Sequence, residues 1–542
     1  IESYWLCSGP QDKTMDTCTE MDDNFHLLCE WLLFGQIDFD YISESLLPGQ
    51  CKTGGAPLRV GEMAYDAVIV ADCRTLRSST LDRLEAFREA GGMVLFTGRI
   101  PALIDAMPSD RARRLAEAAE TVPFSKTSIV NALERFRTVD VRSSRGNRTD
   151  TLIYQMRRDG EDKWLFLCHG KNPSNPDIVP EEDITITLDG VWKPVLYDTV
   201  SAEIYPIAYH HDEMGCTIIR HSFYAHDSML LRLTPSMDDE PAVIAEKTKQ
   251  DLHEADVPVS VQVRLSEPNV LLLDLAEYAY DDGPWQKREE ILRIDAEFRD
   301  KLGYPKRDGQ LVQPYMLPET NSQDHYIRLR FAIISEAGVS EPLLAMEHPE
   351  SAEITWNGQE VGTQAGGWFV DEAIKTIKLP PIQAGENILE LKVWITERKG
   401  AEWCYILGDF GVRVGGSRCM LTEPVQALAF GDWSGQGLPF YAGNVTYCME
   451  VETKDTVEIE AAHFRNPVLR VDLDGEKKGL IAFAPYRIRF SASPGKHSLE
   501  ITAYGNRHNA FGAVHNADIT EDFFGPWVWR STGLAWSYEY RL

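Results

Sequence analysis

The stretch Ile354-Thr355-Trp356-Asn357-Gly358 leads through Gly362, Gly366 and Gly367 to Ile377-Lys378-Leu379. It then passes Ala384-Gly385-Glu386-Asn387 and closes on Ile388, Leu389, Leu391 and Val393. A degenerate copy follows: Leu469, Val471 and Leu473 before Asp474-Gly475, then Tyr486 to Phe490, Pro494-Gly495-Lys496-His497, and Leu499, Ile501 and Ala503. Asn-Gly or Asp-Gly between alternating strands is the strongest short-range hairpin signal, because both turn residues take positive φ. Two such units predict two antiparallel sandwiches.

The rest of the chain divides around them. Residues 1–136 alternate strand and helix. Tyr4–Cys7 reads as a strand, Asp22–Gly35 as a helix with Phe25, Leu28, Leu32 and Leu33 apolar, and Ser78–Ala90 as a helix stopped by Gly91-Gly92. Tyr65–Ala71 and Met93–Thr97 are continuous apolar runs of the kind a parallel sheet buries on both faces, so this region is expected to be an α/β layer. Residues 137–235 switch to short period-two strands, which predict a small β-sandwich. His210, His211, His221 and His226 lie within it without a metal-ligand spacing, so no metal site is expected. Residues 236–256 are polar and form a linker. A sandwich over 257–415 carries a helical insertion at 284–303, opened by Pro284 and stopped by Gly303. The last sandwich, 416–542, closes on the alternating run Trp536–Leu542.

Composition narrows the function classes. At 542 residues the chain is long enough for roughly three or four domains, since single cores seldom exceed about 250–300 residues. Its 54 Lys and Arg stand against 84 Asp and Glu, a net charge of −30 that repels nucleic acid and anionic membranes and leaves a neutral or cationic partner. No run of about 18 apolar residues marks a membrane-spanning helix. The chain opens on Ile1 with no basic-then-apolar leader, and the expectation is a piece whose natural start lies upstream. Ten cysteines at low density, with no Cys-x-x-Cys pair, favour reduced thiols and a cytoplasmic location.

The repeated unit resembles the sugar-binding-type jelly roll of large glycoside hydrolases, those of family 2 and the α-L-rhamnosidase-like enzymes. Asp38-Phe39-Asp40-Tyr41, the Tyr65–Ala71 strand running on to Cys73, and Ala90–Gly98 resemble the flavodoxin-like, amidotransferase-like domain that follows the barrel in family 42 β-galactosidases. That resemblance implies a C-terminal accessory region, with an N-terminal catalytic domain as partner, a homo-oligomer through the flavodoxin-like layer, and carbohydrate as ligand. The alternative is a free-standing carbohydrate-binding or assembly protein. An amidotransferase needs a cysteine in the tight turn after a central strand. Here Thr97-Gly98-Arg99 follows one strand, and Cys73 precedes Arg74 after another, so the layer is expected to be scaffolding with Cys73 buried and inert.

Phosphate-loop, dinucleotide, zinc-protease and serine-elbow motifs are all absent from the sequence. No catalytic residue, metal ligand or cofactor is assigned. The remaining candidate is an aromatic and amide cluster in the last sandwich. Trp433, His508, Asn509, Trp527 and Trp529 combine ring faces with neutral hydrogen-bonding groups, the pairing a sugar requires.

Overall fold

A computed structural model describes residues 11–175, 178, 181–200, 202–236, 257–306, 316–317, 322–462, 464–512, 514–515 and 536–542. The expected strand Tyr4–Cys7 lies outside them, as does all of the expected linker 236–256 except Ser236. The chain forms two compact units, Ile1–Gln250 with Phe483–Pro485, and Asp251–Ala482 with Tyr486–Leu542. Most of the strands are antiparallel.

The first unit opens with a parallel three-stranded sheet in the order Ala67–Ala71, Met93–Thr97, Glu120–Val122. Val68, Val70, Val94 and Phe96 pack on one side with the helices Ser78–Glu89 and Arg111–Ala118. Ala67, Ile69, Met93 and Leu95 pack on the other with Gln11–Phe34 and Lys126–Ala132. Burial on both faces explains why these strands are continuously apolar. The helix Gln11–Phe34 begins well before the expected Asp22 and buries Leu28 and Leu32. Phe25 and Leu33 are exposed instead, Phe25 meeting Tyr41 with ring centroids 5.6 Å apart.

A sandwich follows. Leu152–Asp159, Asp162–His169, Ser228–Pro235, Trp192–Tyr197 and Ile204–Pro206 form one sheet, and Tyr209–His211, Cys216–Tyr224, Glu181–Asp189 and Val139–Ser143 the other. Leu165, Leu167 and Leu231 from the first meet Val139, Ile186 and Ile219 from the second in one core.

The second unit holds both copies of the repeated hairpin. Ala352–Trp356 and Gln359–Val361 pair across a two-residue turn in which Asn357 and Gly358 have φ of 49° and 77°. Leu469–Leu473 and Glu476–Ile481 do the same across Asp474 and Gly475, at 52° and 80°. Each turn side chain then clasps the closing strand of its copy. Ile388 N donates to Asn357 Oδ1 at 2.7 Å, and Ser498 N to Asp474 Oδ1 at 2.9 Å. The repeat therefore extends to the hydrogen bonds that fix the register.

The first sandwich of this unit packs the sheet Asn269–Leu273, Cys404–Gly408, Leu343–Glu347, Asp371–Lys378, Gly367–Phe369 against a larger one. The larger sheet is built on Gln286–Glu290, Leu275–Tyr280, Tyr326–Ser335, Gly385–Trp394, Ala352–Trp356 and Gln359–Val361. The second sandwich packs a six-stranded sheet, with Val445–Thr453 and Gly495–Ala503 at its middle, against the two-stranded sheet of Thr456–Glu460 and Arg487–Ser491.

Three expectations are corrected here. Val261–Leu265, expected in the first sandwich, pairs with Val445–Thr453 in the second, and Arg264 forms a two-pronged ion pair with Glu500. Trp536–Leu542, expected to close the second sandwich as a strand, makes only one bridge, at Trp536. Tyr540 is packed against the core of the first sandwich, and its N–H bonds to the Gly416 carbonyl. The two sandwiches thus exchange terminal segments. Finally, the insertion is not helical from Pro284: Gln286–Glu290 is a strand and the helix is Ile291–Leu302, ended by Gly303 at φ 70°. A carboxylate cap at Glu290, not the proline, sets its start.

Val261 is buried in the second core. Val261→Asp places a charge there and is expected to cost about 3 kcal/mol or more. Hydrogen exchange should accelerate in Val445–Thr453 and Gly495–Ala503 while Leu343–Glu347 and Cys404–Gly408 stay protected. The reverse pattern would return the strand to the first sandwich.

Candidate functional site

The first sandwich of the second unit carries an open concavity of about 370 Å³. Trp403 and Tyr405 come from the strand Cys404–Gly408 and its approach, Glu347 from the end of Leu343–Glu347, and Asp371, Ala373 and Ile374 from Asp371–Lys378. Leu292 is contributed by the helix Ile291–Leu302 and Phe511 by the short helix His508–Phe511. Tyr405 is wedged between aromatic neighbours, its ring 5.4 Å from Phe369 and 5.3 Å from Phe511. Glu347, Asp371 and Glu402 bring carboxylates to the lining.

Val370, also in the lining, has φ 63°. A β-branched residue in the left-handed region is a backbone outlier, and such strain gathers at binding sites where the surroundings over-determine it.

Behind the concavity lies a buried polar network. Glu290 is 1% exposed; its Oε1 accepts from the Trp403 indole N–H at 2.6 Å and from Leu292 N at 3.0 Å, and its Oε2 from Arg293 N at 2.9 Å. Two residues of the lining, Trp403 and Leu292, are therefore held by one carboxyl group. Burial pushes the Glu290 pKa up to about 7. The neighbouring charge of Asp274 acts the same way, and the three N–H donors oppose both.

Asp274 is fully buried. Its Oδ2 lies 2.8 Å from His515 Nε2, and its Oδ1 accepts from the Tyr540 hydroxyl at 2.6 Å. His515 Nδ1 faces the Glu539 carbonyl at 3.3 Å. With an acceptor at each ring nitrogen, only the imidazolium satisfies both. Burial works to lower the His515 pKa, yet the bond to Asp274 and its charge outweigh this and hold it above the ordinary value. Burial, with Asp274 adding to it, also pushes the Cys419 thiol up to about 12. Nearby, buried Arg299 donates to Asp295 Oδ2 at 2.8 Å and to the carbonyls of Glu397 and Lys399 at 2.9 and 2.8 Å, which fixes the loop that leads into Trp403.

The residues expected from sequence have different surroundings. Trp433 is half-buried against the core of the second sandwich, 6.5 Å from the Tyr441 ring. His508 is exposed and Asn509 half-buried on the same short helix as Phe511, which packs against the first core. Trp527 and Trp529 lie outside the described residues. Sequence reasoning missed Trp403, Tyr405, Phe511, Asp274 and Glu290. The one local signal was the Glu289-Glu290 pair just before an apolar helical run.

In the first unit, the carboxyl edge of the parallel sheet is tied by Asp72, which accepts from Asn24 Nδ2 at 2.7 Å and Arg99 N at 2.9 Å. Cys73 beside it is half-buried against the apolar cluster, less enclosed than expected. Among the described residues, no group of three or more His, Cys, Asp or Glu is placed to hold a metal ion, and no helix is long and apolar enough to cross a membrane.

No protein-family profile matches the chain, and no curated protein matches it in sequence. Among solved structures it is similar to a rhamnosidase from Novosphingobium sp. PP1Y, at 14% identity and TM-score 0.29 over 67% of this chain and 32% of that one. It is also similar to an α-L-fucosidase isoenzyme 2 from Paenibacillus thiaminolyticus (11%, TM-score 0.26, 38% and 44%) and to the Streptomyces avermitilis α-L-rhamnosidase (10%, TM-score 0.21, 68% and 32%). The matched regions span about a third of each rhamnosidase and under half of the fucosidase. At these scores the likeness carries no argument, and the functional reading rests on the site itself.

The network sets a pH dependence. Glu290 keeps its proton to about pH 7 when folded but only to about 4.5 when unfolded, so the native state binds the extra proton between these values. Its stabilising contribution is full below about 4.5 and is lost as pH rises through about 7, on the order of 3 kcal/mol. His515, raised likewise, contributes with the same sign. Denaturant midpoints should fall from about pH 5 to about pH 8, and Glu290→Gln should flatten that slope. An unchanged slope would remove Glu290 from the account.

Proposed function

We propose that this chain is the accessory, C-terminal portion of a glycoside hydrolase and that the concavity at Trp403 and Tyr405 binds carbohydrate. The observation that carries this reading is the lining: aromatic rings of Trp403, Tyr405 and Phe511 beside the carboxylates of Glu347, Asp371 and Glu402. Sugars present apolar C–H faces and a rim of hydroxyls, so ring platforms with nearby acceptors are the chemistry that holds them. A volume of about 370 Å³ lies within the range of small-molecule sites and suits one sugar ring or two. His508 and Asn509, one turn from Phe511, supply further hydrogen-bonding groups.

On this reading the α/β layer of residues 1–136 is flavodoxin-like and non-catalytic and serves self-association. Residues 137–235 are a small β-sandwich, and 257–415 and 416–542 are jelly rolls that brace an N-terminal catalytic domain while exchanging their terminal segments. Catalytic carboxylates reside in that partner domain, in the cytoplasm.

Calorimetry with L-rhamnose, D-galactose and their oligosaccharides is expected to give millimolar to micromolar binding, about −4 to −8 kcal/mol. Phe511→Ala and Glu402→Gln should each weaken it about tenfold, Glu402→Gln with little change in melting temperature and Phe511→Ala with a loss of stability from its packing on the first core. The chain alone should release no nitrophenol from aryl rhamnosides or galactosides. Absence of binding across the panel, or binding indifferent to both substitutions, would overturn the site.

A further inference from the structure

Resting on the carbohydrate reading, we propose that Glu290 is the positioning residue of this pocket: its carboxylate orients the Trp403 wall, so that binding strengthens as pH rises. Glu290 is closed off from solvent yet reaches the lining through two separate bonds, to the Trp403 indole at 2.6 Å and to the Leu292 amide at 3.0 Å. A carboxylate accepts both, with Arg293 N on the second oxygen. A protonated carboxyl turns one of its oxygens into a donor facing donors, and the strong charge-assisted bond to the indole is lost. An aromatic wall fixed before the ligand arrives spares the cost of ordering it on binding.

Among the described residues, these charged and titratable groups surround Glu290 and its helix start. From the strand Leu275–Tyr280 and the residue before it comes Asp274, which carries His515 and the Tyr540 hydroxyl. From the helix comes Arg293, which pairs with Glu289 at 3.2 Å and lies over the Trp536 ring at 4.4 Å. Tyr538 donates to Glu289. The Cys404 thiol, next to Trp403, bonds to the Leu273 carbonyl and is kept protonated by burial, with Asp274 adding to the effect. Of these, Glu290 is pushed up to about 7 and His515 is held above its ordinary value, the nearby Glu290 charge being one of the causes. Removing the His515 cation should therefore move the Glu290 transition upward without abolishing it.

The test follows the Trp403 indole N–H resonance, assigned by its loss in Trp403→Phe, from about pH 5.5 to about pH 8.5. In the native protein it should shift with a midpoint near neutrality, in His515→Gln the midpoint should rise, and in Glu290→Gln the shift should vanish. In parallel, L-rhamnose and D-galactose are titrated at both ends of the range. Affinity is expected to rise about tenfold with pH in the native protein and to stay flat in Glu290→Gln. If a sugar binds with the same pH profile in both proteins, the positioning role is overturned and the carbohydrate site stands. If neither sugar binds but the indole titrates through Glu290, the carbohydrate site is overturned and the coupling stands. An indole that does not titrate in the native protein overturns the coupling even where Glu290→Gln fails to fold.

Discussion

Asp274 has no solvent to share its charge with, and the second unit is arranged around answering that charge. One oxygen takes the His515 imidazolium and the other the Tyr540 hydroxyl. Its backbone carbonyl accepts from Ile291 N, at the start of the helix behind the concavity. Both side-chain donors come from residues more than 200 positions away, so the bond that satisfies the carboxylate is also the bond that brings the chain's last described residues onto the first sandwich. A buried ion pair seldom adds net stability over apolar residues of the same shape, but losing one partner strands a charge at a cost of about 3–5 kcal/mol. The interaction therefore selects where the C-terminal segment goes more than it deepens the fold.

Glu290 extends the same constraint to the surface. Burial is the larger push on the Glu290 pKa, and the charge of Asp274 adds to it in the same direction. Glu290 is left near the balance point, held charged by three N–H donors and discharged by burial. The residues it grips, Trp403 and Leu292, line the pocket although both are themselves buried, at 9% and 5% exposure.

What was legible in the sequence is what short-range geometry encodes. Asn357-Gly358 and Asp474-Gly475 admit little besides a two-residue turn, and both form one. Continuous apolar runs at Ala67–Ala71 and Met93–Thr97 admit little besides a doubly covered strand, and both are parallel. Trp536–Leu542 also alternates, but period two states only that successive side chains face opposite ways. Tyr540 faces Asp274 and Tyr538 faces Glu289 without a ladder between them. Which sheet receives Val261–Leu265 is likewise absent from local pattern, because both sandwiches offer an apolar face of the same period. The helix start was misplaced because Pro284 is a common first-turn residue, whereas the operating cap is a glutamate side chain that reaches two amides.

The site was hardest to see for a related reason. Trp433, His508, Asn509, Trp527 and Trp529 drew attention by their crowding along the last 110 residues, yet nearness in sequence is a poor proxy for convergence in a fold made of long antiparallel strands. The concavity takes residues from five stretches, among them Leu292, Glu347, Asp371, Trp403 and Phe511. Each of these is unremarked in its own neighbourhood: a helix leucine, a strand-end glutamate, an aspartate that starts a strand, a tryptophan just ahead of a strand and a phenylalanine that ends a short helix. They come together only because the sheet order sets the strand ends Glu347, Asp371 and Cys404 side by side, and because Glu290 holds the Trp403 indole while Arg299 ties the Glu397 and Lys399 carbonyls ahead of it. The strained φ of Val370 at the same lip fits this account, since a penalty of about 1–3 kcal/mol persists only where the surrounding sheet leaves the chain no relaxed alternative.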